Sequence, residues 1–201
     1  MSIPVERITG LVLAGGLGTR MGGADKGLAS FHGEPLVSHA MRRLQPQVGS
    51  VMINANRHLE QYATLGAAVV PDTFPGFAGP LAGLHAGLAR CGTDFLAAVP
   101  CDTPMFPTDL VSRLWATLEG SSTMAAIAVT DTPAGEQRHP VFCLLRRAAL
   151  PSLDDYLKDG GRKVGAWLDA IGCARAHFDD EAAFTNLNTR DELDAFSRRL
   201  S

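Results

Sequence analysis

Apolar and polar positions along this chain change period repeatedly, and each change predicts an element. Residues 11–14, Leu-Val-Leu-Ala, are an unbroken apolar run of the kind that forms a strand buried on both faces. After a glycine-rich stretch, residues 28–36 predict a brief extended piece with a turn at Gly33. Leu36, Val37, Ala40, Met41 and Leu44 then recur at helical spacing, predicting an amphipathic helix over 35–45 with Pro35 at its first position and Arg42 and Arg43 outward. Residues 51–57 predict a second buried strand ending in asparagines, 59–65 a short helix, and 67–72 a third strand ending in Asp72. A loop rich in Phe, Pro and Gly over 73–80 leads to a helix over 81–90, and the apolar run 95–99 predicts a fourth strand that presents Asp102 at its end.

Apolar strand, polar end and helix, repeated in this order, is the pattern of a parallel sheet with helical crossovers. The remainder is more mixed. A helix is predicted up to about residue 118, a strand over 124–129, a polar turn-rich segment over 130–138, and a strand from His139 in which Pro140 favours an edge or strand start. A helix over 150–157, a turn over 160–164 into a further helix through Leu168 and Ile171, a short strand over 174–178, and a last helix through Phe196 complete the chain. Thr189 and Glu192 have capping-box spacing for that last helix. The expected fold class is α/β: a Rossmann-like doubly wound, mostly parallel sheet in three α/β/α layers.

Length and composition narrow the classes of function. The 201 residues suit one α/β domain with a sizeable core, and the net charge of -3 with interspersed signs offers no field for nucleic acid or an anionic membrane. Any phosphate recognition must then be local. Cys91, Cys101, Cys143 and Cys173 have neither C-x-x-C nor zinc-type spacing and are expected to be reduced thiols, and the histidines His32, His58, His85 and His177 lack metal-ligand spacing. The expectation is a cytoplasmic protein, because the first residues lack a leader pattern and no window approaches the roughly 18 apolar residues of a membrane span.

The chemistry concentrates after the first strand, where Gly15, Gly16, Gly18, Gly22 and Gly23 precede Lys26-Gly27. Glycines bring backbone N–H groups close to a bulky ligand, and Arg20 and Lys26 can meet anionic oxygens, so the natural guest is a polyphosphate; an exposed turn with solvated cations is the alternative. The dinucleotide fingerprint fails at Met21, and the P-loop pattern fails at Ala24 and Leu28. In open parallel sheets ligands bind beyond the carboxyl ends of the strands, where Gly15, Asn54, Asp72 and Asp102 are all expected. Asp102 on a rigid strand end is a hard oxygen ligand suited to Mg²⁺ with phosphate oxygens, or else a cap for the following helix.

Leu13-Ala-Gly-Gly, Arg20-Met-Gly-Gly and Asp25-Lys-Gly-Leu together closely resemble the nucleotide-binding loop of the molybdenum cofactor guanylyltransferases, a branch of the nucleotidyltransferase superfamily. Pro100-Cys-Asp-Thr-Pro resembles that family's metal-binding loop. The resemblance implies one nucleotidyltransferase domain over 1–201, with a nucleotide-binding half over about 8–120 and an acceptor-binding half over 121–201. It implies transfer of GMP from GTP to molybdopterin or its molybdenum-loaded form, with Mg²⁺ as cofactor. Asp102 is then the metal and phosphate ligand, and Lys26 the phosphate contact. Leu13, Ala14 and Gly15 are the guanine-side backbone contacts, Asn54 and Asp72 the remaining nucleotide contacts, and Arg20 the cation on pyrophosphate.

For the acceptor, Arg162-Lys163 and Asn186-Leu-Asn188-Thr189 resemble the family's cofactor-binding region, with a solvated helix start and a turn as the alternative readings; His139-Pro140 matches a recurrent family pair. Proteins that deliver the product to molybdoenzymes are the implied partners. Asp25 reads equally well as a loop-stabilising acceptor. Rival functions are a sister enzyme using CTP on the same cofactor, a nucleotidyltransferase acting on a sugar phosphate, and a GTP-binding adaptor without catalysis.

Overall fold

The structure is a computed structural model that describes residues 3–15, 25–74, 79–187 and Glu192. Its first half is β1 (Ile8–Leu13), the small hairpin β2 (Ser30–Phe31) and β3 (Glu34–Pro35), α1 (Leu36–Leu44), β4 (Ser50–Asn54), α2 (Leu59–Ala63), β5 (Ala68–Val70), α3 (Pro80–Arg90), β6 (Phe95–Pro100) and α4 (Leu110–Glu119). Its second half is β7 (Ala125–Thr132), β8 (Gly135–Arg146), α5 (Leu150–Lys158), α6 (Val164–Ile171) and β9 (Cys173–Phe178).

Among the described residues the main sheet has seven strands in the order β5-β4-β1-β6-β8-β7-β9. β1 pairs parallel with both β4 and β6, β4 with β5, and β7 with β9, whereas β8 is antiparallel to both its neighbours. From β1 the chain steps outward to β4 and β5, then returns through α3 to β6 on the other side. The order therefore reverses between β1 and β6, and the crevice past their carboxyl ends is where such sheets bind ligands.

The sheet is buried on both faces, which is why its central strands read as continuous apolar runs. Ile8 and Val12 of β1 join Val37, Ala40 and Leu44 of α1 and Leu110, Leu114 and Leu118 of α4 in one core. Leu11 points to the other core, with Leu81, Leu84 and Leu88 of α3, Leu153 and Leu157 of α5, and Trp167 and Leu168 of α6. Leu11 has no exposed surface, so truncating it to alanine would cost about 2–5 kcal/mol through lost burial and the cavity left behind.

The structure departs from the sequence expectations at several points. Pro35 is the residue before α1 and pairs with Ser30 across a tight turn in which His32 and Gly33 both have positive φ. Residues 130–138, expected as a polar turn-rich segment, are the paired end of a hairpin. β7 continues to Thr132 and β8 starts at Gly135, and apart from the buried Thr130 their polar residues reflect an exposed end of paired strands and not irregular backbone. Pro140 lies inside β8, a strand central to the sheet. It is tolerated because β6 pairs only with residues from Cys143 onward, and because the register with β7 shifts between Ile127 and Ala128, leaving Pro140 at a bulge with no ladder donor required. The last predicted helix lies outside the described residues apart from Glu192.

Candidate functional site

The rim is assembled by backbone pairing. Leu13, the last residue of β1, stands opposite both Asn54 of β4 and Pro100 of β6. One step further, the Ala14 N–H donates to the Asn54 carbonyl at 2.8 Å and the Cys101 N–H to the Leu13 carbonyl at 3.0 Å. The three strand ends are thus level, and Leu13, Ala14 and Gly15 lie between an asparagine on one side and the Asp102 loop on the other.

On one side of this rim, Asn54 is buried and its side-chain amide donates to the Val70 carbonyl at 3.0 Å and to Asp72 Oδ1 at 2.8 Å. Asn56 donates to Asp72 Oδ2 at 2.8 Å and accepts from the Asp72 backbone N–H at 2.8 Å. Two asparagines therefore hold one carboxylate through neutral amides. Its remaining lone pairs can accept N–H donors from a base. Space for Asn54 is set by α3: a Cβ on Gly83 would lie 2.4 Å from Asn54 Oδ1 and 2.6 Å from Leu13 Cδ2.

On the other side, the chain re-enters at Asp25, whose carboxylate accepts from the Gly27 N–H at 3.1 Å and so caps the turn Lys26–Leu28. Lys26 Nζ donates to Asp102 Oδ2 at 2.6 Å, and each side chain keeps 18% of its surface exposed. The pair faces the cavity and is not sealed in the core. Asp102 is in turn tied to the C-terminal part of the chain. Its carbonyl accepts from the Leu187 N–H at 2.7 Å, and the buried hydroxyl of neighbouring Thr103 donates to Asn186 Oδ1 at 2.7 Å. With that oxygen engaged, the Asn186 amide offers a ligand its NH₂ donor.

These groups line one cavity of about 520 Å³ that brings together Leu13, Ala14, Gly15, Lys26, Asn54, Asp72, Asp102 and Asn186. A second cavity of about 720 Å³ adjoins it, sharing Val141 and Asn186. One wall is His139, stacked on Phe184 at 4.4 Å between ring centroids and 15° between planes, with its Nε2 2.9 Å from the Thr130 hydroxyl. Burial holds the His139 imidazole below its ordinary value, against the opposing pull of Glu181. Arg162 and Lys163 sit on the turn between α5 and α6 and line neither cavity; the Arg162 guanidinium donates to the Leu157 and Gly161 carbonyls. Arg20 and Asn188 lie outside the described residues.

Sequence reasoning missed Asn56, Tyr62, Thr103 and Phe184. Asn56 had a readable signal, since two-residue spacing from Asn54 at a strand end favours one common side. Tyr62 had none, because its depth under Gly27 is a property of the fold. As for a metal, no cluster of three or more His, Cys, Asp or Glu occurs among the described residues. Two of the described carboxylates line the cavity, and Asp72 is taken up by Asn54 and Asn56. That leaves Asp102, beside Lys26, as a donor that fits an ion completing its shell with phosphate oxygens and water, as Mg²⁺ does, and does not fit a fully protein-built cage. All four cysteines are free thiols, as expected. No described helix is long and apolar enough to cross a membrane.

Residues 10–173 match the family model of the MobA-like NTP transferase domain. The molybdenum cofactor guanylyltransferase of Cupriavidus taiwanensis is 52% identical over 195 residues, covering 96% of this chain and 98% of the relative. That of Bordetella pertussis is 50% identical over 186 residues, covering 92% and 94%. Among solved structures, the molybdopterin-guanine dinucleotide biosynthesis protein A of Archaeoglobus fulgidus superposes with a TM-score of 0.76 at 24% identity, covering 96% of this chain and 98% of the other. The 2-C-methyl-D-erythritol 4-phosphate cytidylyltransferase of Thermus thermophilus does so with 0.73 at 14% identity, covering 94% and 97%. At these identities the structural likeness speaks for the nucleotidyltransferase fold alone, while the curated relatives carry the family: the chain belongs to the molybdenum cofactor guanylyltransferases.

Proposed function

We propose that this chain transfers GMP from GTP to molybdenum-loaded molybdopterin, forming molybdopterin guanine dinucleotide and releasing pyrophosphate. A phosphate oxygen of the acceptor attacks the α-phosphorus of GTP, a new P–O–P linkage forms, and the bond to the β-phosphate oxygen breaks with its electrons leaving on pyrophosphate. The observation that carries this reading is the convergence of Lys26, Asp102 and the Leu13–Gly15 rim on one cavity of nucleotide size, about 520 Å³.

Each group has a role that follows from its chemistry. Asp72, held between Asn54 and Asn56, accepts the N1–H and N2–H₂ donors of guanine. Backbone at Leu13, Ala14 and Gly15 packs along the same base. Lys26 contacts the phosphates and, with Arg20, opposes the charge that grows on pyrophosphate; the reaction needs this alignment and neutralisation more than it needs a nucleophile on the protein. Asp102 would hold Mg²⁺ together with the triphosphate oxygens. When bound, that ion supplies charge neutralisation on the transferring phosphate. The acceptor's phosphate monoester, with a second pKa near 6, is already largely anionic at pH 7, so a dedicated general base is unnecessary.

The acceptor enters from the 720 Å³ side, with Asn186 at the junction; the family resemblance adds Asn188, Arg162 and Lys163 to the acceptor side, the last two from outside both cavities. The choice of GTP over CTP rests on the curated relatives and on the donor pattern that suits Asp72. Two measurements test the reading. Asp102→Ala abolishes Mg²⁺-dependent pyrophosphate release with GTP and acceptor, and a near-normal rate would remove Asp102 from its role. Replacing Asn186 and Asn188 weakens acceptor use while GTP affinity stays constant, and equal loss of both rejects the acceptor assignment.

A further inference from the structure

We infer that Tyr62 is a positioning residue for the phosphate-binding lysine: its buried hydroxyl, held on Asp25, fixes the turn that directs Lys26 at Asp102. The inference rests on the reading of Lys26 given above.

Tyr62 lies in the five-residue helix α2 and has no exposed surface. It packs in the same core as Ala14 and Ala55, directly under the strand-end rim. A phenylalanine would serve packing equally well, and it would spare the fold an expensive buried hydroxyl. The hydroxyl instead donates to Asp25 Oδ1 at 2.6 Å, so its bond goes to the loop and not to its own helix or the sheet. Burial first, and the Asp25 carboxylate second, push the phenol above its ordinary value, which keeps it a protonated donor.

That same Asp25 oxygen accepts the Gly27 N–H, so one atom joins α2 to both ends of the short segment that carries Lys26. Contact from below is equally tight. A Cβ on Gly27 would lie 2.3 Å from the Tyr62 hydroxyl oxygen and 3.1 Å from Ala14 Cβ, so the turn rests on the phenol with no spare room. Lys26 is therefore flanked by two residues that Tyr62 holds, and its long side chain starts from a fixed backbone to reach Asp102 at 2.6 Å. Reactions that depend on alignment are sensitive to displacements of this kind: a shift of about 1 Å can cost on the order of 100-fold in rate.

The test measures kcat and KM for GTP in Mg²⁺-dependent pyrophosphate release by the full chain, together with its melting temperature. Tyr62→Phe is expected to lower kcat by about 10- to 100-fold, with a smaller change in KM, and to shift melting by no more than about 4 °C. Asp25→Ala should lose a similar factor, Asp25→Asn should retain more of kcat because it keeps an oxygen acceptor, and adding Tyr62→Phe to Asp25→Ala should cost little more. A kcat for Tyr62→Phe within about twofold of wild type, in a protein where Lys26→Ala is impaired, overturns the role of Tyr62 alone. So does a Tyr62→Phe loss that persists undiminished in the Asp25→Ala background, since that is what a purely structural effect would give. A Lys26→Ala enzyme as fast as wild type overturns the role of the lysine itself, and both readings fall with it.

Discussion

Lys26 Nζ lies 2.6 Å from Asp102 Oδ2, joining the end of the glycine loop to the end of β6 across 76 residues of chain. Each side chain is 18% exposed toward the cavity, so water and ligand can reach both charges. Replacing Lys26 by methionine leaves Asp102 partly hydrated, which makes the stability cost about 1–2 kcal/mol and not the 3–5 kcal/mol of a sealed pair. The expected catalytic cost is larger, on the order of 10²–10³ in kcat, because in the proposed reaction the lost charge faces the developing pyrophosphate. Urea unfolding and steady-state kinetics on Lys26→Met check this separation; a variant that loses stability and activity in proportion would contradict it.

The approach of α3 to the rim predicts opposite effects for two similar substitutions. Gly83→Ala places a Cβ 2.4 Å from Asn54 Oδ1, so Asn54 must move and its bonds to Val70 and Asp72 weaken. The expected cost is about 1–3 kcal/mol, against the usual helix gain of an alanine, with a raised KM for GTP. Gly165 of α6 has no atom within 4 Å of a built Cβ, and Gly165→Ala should stabilise by about 0.5 kcal/mol without kinetic effect. Thermal melts of the two variants side by side decide it.

Much of this site could be read from residue order alone, for a definite reason. Apolar runs such as 11–14 and 95–99 are buried on both faces, so their ends are sharp and Asp102 could be placed beyond one of them, within reach of a ligand held at the other. What depended on depth was not legible. Tyr62 reads as one polar-tipped residue in a short helix, and only the fold sets it under Gly27. The 130–138 segment misled for the opposite reason: polar residues there mark strands that run beyond the covered part of the sheet. Pro140 then marked a bulge inside a central strand, where local pairing leaves it the freedom of an edge.

Asp72 should control the choice of base. Its carboxylate is held by neutral amides, so in the proposed complex its negative charge meets two N–H donors on the guanine edge. Charge-assisted bonds of this kind contribute about 1.5–3 kcal/mol each, and even the net loss of one of them in Asp72→Ala should raise KM for GTP by roughly 10- to 100-fold. ITP lacks the 2-amino group, and the wild-type preference for GTP over ITP should collapse in the variant. An undiminished preference would move base recognition to the backbone of Leu13, Ala14 and Gly15.

His139 gives the fold a dependence on pH whose sign can be worked out. Burial against Phe184, with Nε2 on the Thr130 hydroxyl, holds the imidazole below the value of about 6.5 that it has in the unfolded chain, and Glu181 only partly offsets this. Between the two values the unfolded chain binds more protons than the folded one, so stability rises with pH there. The contribution is fully present above about pH 6.5 and is lost as pH falls through the depressed native value. Urea midpoints at about pH 7.5 and 5.5 should therefore drop on acidification in the wild type, and drop less in His139→Gln, which has no proton to gain. The difference between the two slopes isolates this residue from the carboxylates that titrate lower, and equal slopes would mean that the imidazole titrates in the folded protein as it does in the unfolded chain.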